Sequence, residues 1–139
     1  IYCGAAIELP DGTIVTGKNT PLMHADSSAV LNAVKLLAGL PEDIHILAPN
    51  VIASIGELKQ HTFGSKAVSL DLEEILIALS MSATTNPTAQ KAMERLKTLR
   101  DCEMHITHIP TPGDEKALRK LRIHFTSAPE FASSNLFEG

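Results

Sequence analysis

The chain has 139 residues, 44% of them hydrophobic, which suits one domain that buries a core without disulfide or metal staples. Its 12 basic and 16 acidic residues give a formal charge of −4, which favours solubility and works against a general polyanion-binding surface, so no nucleic-acid partner is expected. No apolar run approaches the roughly 20 residues of a membrane helix, and the longest are broken by Ser, Lys or Asn, so no membrane partner is expected either.

The first residue is Ile1, not Met, and Ile1 to Leu9 already reads as strand. The expectation is a piece of a longer protein, with no leader ahead of the first element and with a former interdomain interface on its surface. Ala5–Leu9 and Thr13–Gly17 are short strands joined by Pro10-Asp11-Gly12, a hairpin turn. Asp26–Ala38 carries Ala29, Val30, Ala33, Val34 and Leu37 at helical spacing and is stopped by Gly39 and Pro41. Leu31 and Leu36 make its other face apolar too, so burial on more than one side is expected.

Ile44–Leu47 reads as a short buried strand, and Val51, Ile52, Ile55 and Leu58 as a helix that follows Pro49 and ends before Gly64. Leu72–Ala83 is a third helix. Asn86-Pro87 opens a fourth, with a stripe of Ala89, Ala92, Met93, Leu96 and Leu99. Cys102–Ile109 alternates as a strand, Asp114–Leu121 is a short polar-faced helix, Arg122–Thr126 is the last strand, and the tail after Pro129 reads as loosely ordered. Strands joined by helical crossovers after an opening hairpin require a mixed sheet, and helices on both faces would make it a three-layer α/β/α sandwich. Cys3 and Cys102 lie far apart with no CxxC, which suits a reducing compartment, by default the cytoplasm, and both read as small core residues.

His24-Ala25-Asp26 opens the first helix after the hairpin, where zinc deaminases carry H-x-E. In those enzymes the His binds zinc, the carboxylate shuttles protons, and a P-C-x-x-C at the next strand–helix junction supplies two thiolates. Here that junction is Pro49, with Asn50 and Ala53 at the ligand positions. One His cannot hold a catalytic zinc, and Asp26 is a methylene shorter than Glu. The expectation is therefore no metal site and no cofactor, with Asp26 capping the helix and His24 lining its entrance.

Asn86 before Pro87 reads chiefly as a helix cap, with ligand contact at the helix N-terminus as its functional alternative. Downstream, His105 and Thr107 share one strand face and His108 takes the other, so only one of the two histidines can point at a given site. Asp114 and Glu115 follow closely, and a His beside a carboxylate can do acid–base work near neutral pH. Gly64-Ser65-Lys66 lacks the glycine spacing of a phosphate loop. Lys116, Arg119, Lys120 and Arg122 read as the solvated face of a short helix. There is no G-x-S-x-G, no G-x-G-x-x-G, and no aromatic platform for bases.

Ala6-Ile7-Glu8-Leu9-Pro10-Asp11-Gly12, Leu31-Asn32-Ala33, Gly64-Ser65-Lys66, Ile77-Ala78-Leu79-Ser80, Thr85-Asn86-Pro87, Leu99 to His105 and Asp114-Glu115-Lys116 together resemble a bacterial family called domain of unknown function 1846. The resemblance spans nearly the whole chain. It implies the C-terminal part of a longer cytoplasmic protein and a cytidine-deaminase-like α/β fold with a mixed five-stranded sheet of order 2-1-3-4-5. In that order the first and fourth strands are not neighbours, so Cys3 and Cys102 are expected to be unbonded.

Two readings of function follow. The first is a metal-free accessory or interaction domain that packs on an upstream domain of the same chain and supports self-association as a homo-oligomer. The second is an enzyme site at an interdomain cleft, with His105 and Asp114 as catalytic candidates and Asn86 and Thr107 as ligand-binding candidates.

Overall fold

The turn Pro10-Asp11-Gly12 forms because Gly12 takes φ +90, the Asp11 carboxylate accepts the Thr13 amide at 2.9 Å, and the Leu9 amide donates to the Thr13 carbonyl at 2.8 Å. It joins β1 (Gly4–Glu8) to β2 (Ile14–Lys18) in an antiparallel pair. The structure, a computed structural model, describes residues 3–64 and 69–129.

The other edge of β1 pairs antiparallel with β3 (Glu103–Ile106). Helix α5 (Pro112–Lys120) then carries the chain to β4 (His124–Ser127), which lies parallel to β3. The described residues thus form an α/β fold with a mixed four-stranded sheet of order β2-β1-β3-β4.

Pleating sets the two faces of this sheet apart. The register aligns Ala5, Ile7, Val15, Gly17, Met104, Ile106 and Phe125 on one face, and that face is the core side. Helix α1 (Ala25–Leu37) lies across it. At Gly17 a Cβ would sit 2.2 Å from the Ala29 amide nitrogen, and α1 meets the sheet along Ala25, Ala29 and Ala33, all fully buried. Only a glycine on the strand and alanines on the helix allow so close an approach.

On the same face, the Arg119 guanidinium of α5 stacks over the Phe125 ring, 5.7 Å from its centroid. Helix α3 (Leu72–Ala83) packs on α1 and α5, and α4 (Pro87–Glu94) on α1 and α3. Helix α2 (Pro49–Glu57), extended by a single π turn over Leu58–Thr62, leans on α3 and has no fully buried residue. The core is one cluster, centred on Ile7, Val30, Val34, Leu72, Ile75 and Leu118.

Three expectations are corrected. The sheet has four strands among the described residues and not five, because Ile44–Leu47 is irregular chain. The slot beside β1 is filled directly by β3. Caught between Pro41 and Pro49, the segment buries Ile46 and Leu47 from a non-strand backbone, and the Ala48 amide donates to the Ser82 hydroxyl of α3 rather than to a strand. The order 2-1-3-4-5 expected of a cytidine-deaminase-like sheet gives way accordingly.

The second correction concerns layers. The described helices cover one face, whereas Glu8, Ile14, Thr16, Glu103, His105, His124 and Thr126 on the other are exposed, Ile14 by 57%. This is a two-layer arrangement, not an α/β/α sandwich. The third concerns the cysteines. Both are free and buried as expected, but β1 and β3 are neighbours; their antiparallel register, with Glu8 opposite Glu103, puts Cys3 and Cys102 at opposite ends.

No helix among the described residues is long and apolar enough to cross a membrane. Of Gly64-Ser65-Lys66 only Gly64 lies within the described residues, and the tail expected after Pro129 lies outside them.

Candidate functional site

Strands β2 and β3 both run antiparallel to β1, so their C-terminal ends lie at the same edge of the sheet. Helices α1 and α5 begin just beyond those ends. The start of α3 is pinned beside them by two backbone bonds: the His24 amide to the Leu70 carbonyl at 3.0 Å and the Leu70 amide to the Leu22 carbonyl at 2.8 Å. Three helix N-termini therefore converge at the C-terminal edge of the sheet. In α/β folds this is the edge where ligands bind, and each terminus adds partial positive charge and spare amide donors.

Asp114, the third residue of α5, stands at the convergence, 1% exposed. Its Oδ2 lies 2.8 Å from His24 Nδ1, and its Oδ1 accepts the Leu72 amide at 2.8 Å from the first turn of α3. One carboxylate thus joins the starts of α1, α3 and α5. Asp26, also 1% exposed, accepts the Ser27 amide on Oδ1 at 2.9 Å, while its Oδ2 has no hydrogen-bond partner among the described residues. One ligand atom each from His24, Asp26 and Asp114 lie within 4.8 Å of one another.

A second ring of polar groups surrounds these three. Asp71, the N-cap of α3, forms a capping box with Glu74, and Glu74 also holds the buried ammonium of Lys59 at 2.9 Å. The same ammonium donates to the Ser69 carbonyl. Gly113 abuts Asp71 so closely that a Cβ would meet the Asp71 carboxylate at 2.1 Å. His108, 6% exposed, precedes α5, and its Nδ1 has no partner among the described residues.

The protonation pattern follows from this packing. Burial lowers the His24 pKa, but the hydrogen bond and charge of Asp114 outweigh it and hold the imidazolium above its ordinary range. Burial likewise raises Asp114, yet His24, the Leu72 amide and Thr111 together bring the carboxyl below its usual value. Asp26 goes the other way: burial first, and the nearby Asp114 charge second, push it well above the ordinary carboxylate value. His108 is lowered, chiefly by burial. Two carboxyl groups in one site with opposite shifts are the arrangement by which proteins set a proton donor beside a charged acceptor.

The residues singled out from sequence are dispersed. Asp114 is at the centre. His105 stands on the open sheet face, its Nδ1 2.8 Å from Thr126 Oγ1. Thr107 Oγ1 accepts the Gly4 amide at 2.8 Å, and Asn86 Oδ1 accepts the Thr88 amide and hydroxyl at the start of α4. The histidine bonded to Asp114 is instead His24, and His108 lies beyond the end of β3, off the strand.

At the first helix, His24 is itself the N-cap, without a side-chain cap bond, and Asp26 binds an amide within the first turn. Asn50 and Ala53 lie on α2 and neither belongs to this cluster; Ala53 lines an apolar groove of about 900 Å³ with Leu22, Met23, Ile46 and Ile52. Asp71, Glu74 and Lys59 were missed from the sequence, and His108 was weighed there but set aside for His105. Asp71-Leu72-Glu73-Glu74 was legible as a capping box, whereas nothing local marked Lys59 as buried.

A family model described as the C-terminal domain of unknown function DUF1846 matches residues 2–137. The chain belongs to that family. It is 46% identical over 137 residues to a UPF0371 protein of Clostridium tetani, covering 99% of this chain and 27% of that protein. It is 48% identical over 132 residues to a UPF0371 protein of Clostridioides difficile, covering 95% of this chain and 26% of that protein. The chain thus spans about a quarter of the length of these bacterial relatives, and neither their names nor the family's states an activity.

Proposed function

We propose that this DUF1846 C-terminal domain is an accessory domain that docks on the remainder of a longer bacterial protein through the bare face of its sheet. The observation that carries this reading is the sheet itself. One face bears all the described helices, while the other leaves Glu8, Ile14, Thr16, His105 and Thr126 exposed. Parallel β-α-β units ordinarily lie in sheets covered on both faces, and β3–α5–β4 is such a unit in a sheet covered here on one. The relatives supply about three times this chain's length again to cover it.

Buried free thiols at Cys3 and Cys102 support the cytoplasm as its compartment. The cytidine-deaminase likeness is retained only for the opening hairpin and the helix that starts at His24.

Cysteine labelling of the intact protein tests the docking. Thr16→Cys and Thr126→Cys, on the bare face, should react with a maleimide far more slowly than Gln90→Cys on the exposed side of α4. Equal rates at all three positions would sink the proposal. Protection that disappears on dilution would assign the face to a second copy of the chain and would likewise overturn it.

A second reading, an enzyme site at the junction with the rest of the protein, is favoured by the His24–Asp114–Asp26 cluster at the C-terminal edge of the sheet. In this reading Asp114 keeps its candidate role, and His24 takes the place that the sequence offered to His105.

A further inference from the structure

We infer that His24, Asp26 and Asp114 form a binding site for a divalent first-row transition-metal ion such as Mn²⁺ or Zn²⁺. Three features of the geometry lead there. The residues come from the starts of two helices 90 residues apart, and each contributes a ligand atom within 4.8 Å of the other two. With metal–ligand bonds of about 2.0–2.2 Å, a cation at their centre needs only small side-chain adjustments to reach all three.

The second feature is Asp26. Its Oδ2 is buried and accepts no hydrogen bond among the described residues, and its contact with the Asp114 carboxyl is favourable only with a proton or a cation between them. A buried carboxylate oxygen without a partner is costly, and a cation bound there would remove that cost. The third is support from outside the donor set. Asp114 Oδ1 is held by the Leu72 amide and Asp26 Oδ1 by the Ser27 amide, so each carboxylate is oriented through one oxygen and keeps the other for the centre. Such outer hydrogen bonds accompany metal-binding carboxylates.

The donor set selects the ion. One imidazole and two carboxylates suit Mn²⁺, Fe²⁺, Co²⁺ or Zn²⁺ better than Ca²⁺ or Mg²⁺, which favour oxygen-only shells. Along the sequence His24 stands as a lone ligand, because Asn50 and Ala53 cannot replace thiolates. In the folded chain Asp114 and Asp26 supply the missing donors, which leaves coordination positions for water or substrate.

The test uses the intact protein, stripped with a chelator and then titrated with Mn²⁺, Zn²⁺, Mg²⁺ or Ca²⁺, alongside Asp26→Asn. Metal content by mass spectrometry and the shift in thermal midpoint are read for each. The expected result is one more equivalent of Mn²⁺ or Zn²⁺ per wild-type chain than per variant chain. That metal should raise the wild-type midpoint, and the apparent affinity should fall about 100-fold or more in the variant.

Asn is close to isosteric with Asp, so the variant retains the fold, and its folded state is checked by its own unfolding transition. Equal metal content and equal shifts in the two proteins would overturn the inference, showing any bound metal to lie elsewhere. Absence of Mn²⁺ and Zn²⁺ binding by the wild type would overturn it directly, leaving a proton-sharing carboxyl pair that joins three helices. Neither result bears on the docking of the sheet face, which the labelling experiment reads separately.

Discussion

Asp114 and Asp26 are both 1% exposed and lie in one cluster, yet their protonation is driven in opposite directions. The consequence for stability has a definite sign. Asp26 and His24 both have folded-state pKa values above their ordinary ones, so the folded state holds protons that the unfolded chain has released. Stability present in acid is therefore lost as pH rises from the ordinary aspartate value and, for His24, from near 6.5.

Asp114 is lowered, so its contribution is present above the ordinary aspartate value and fades only as pH falls below it. His108, also lowered, works against the trend: its contribution is lost as pH falls through 6.5. The Leu72 amide, bonded to Asp114, reports on the cluster locally. In chelator-treated protein its opening free energy, corrected for intrinsic exchange, should decrease between about pH 5 and pH 8. Asp26→Asn should flatten that decrease and leave the amide better protected at pH 8. An unchanged slope in the variant would remove Asp26 from this account.

At the scale of elements, the contact of α1 with β2 is decided by Gly17. Gly17→Ala places a methyl 2.2 Å from the Ala29 nitrogen and 2.7 Å from the Ala25 carbonyl oxygen, both backbone atoms that can yield only if the helix shifts. The expected loss is about 3 kcal/mol or more, read as a lowered denaturation midpoint; a loss below about 1 kcal/mol would mean that α1 lies farther from the sheet.

The elements that the sequence revealed are those with local signals. Leu72–Ala83 is a helix over the span its apolar spacing predicted, the hairpin turns on Gly12, and Pro87 opens α4. Ile44–Leu47 misled because a short apolar run bounded by prolines looks the same whether it pairs in a sheet or plugs a core from a loop. The choice rested on β3 taking the edge of β1, a contact between residues about 100 positions apart that no local pattern records. The site was half legible for the same reason. Asp114 stood out as a polar residue near an element end, but its partner His24 lies 90 residues upstream, and the apparent partner His105 faces the opposite side of the sheet.

For the whole molecule, the two faces of the sheet set the division of labour. The helical layer holds the core and the His24–Asp26–Asp114 cluster, and the opposite face is the one proposed above to dock on the rest of a longer protein. Interdomain faces of this kind commonly bury about 600–1,500 Å² and are more polar than permanent interfaces, which fits the mixture of Glu8, Thr16, Glu103, His105 and Thr126 presented here. His105, paired with Thr126 on that face, lies on the opposite side of the sheet from Asp114.

Small-angle scattering of the intact protein bearing Ala6→Arg tests this division most directly. Ala6 sits at the middle of the bare face, opposite Thr16 on one side and His105 on the other, where a long charged side chain should be tolerated by the domain but not by a docked partner. The expected result is a larger radius of gyration for the variant than for the wild type, with the domain's own core intact. Superimposable scattering curves from two folded proteins would contradict it.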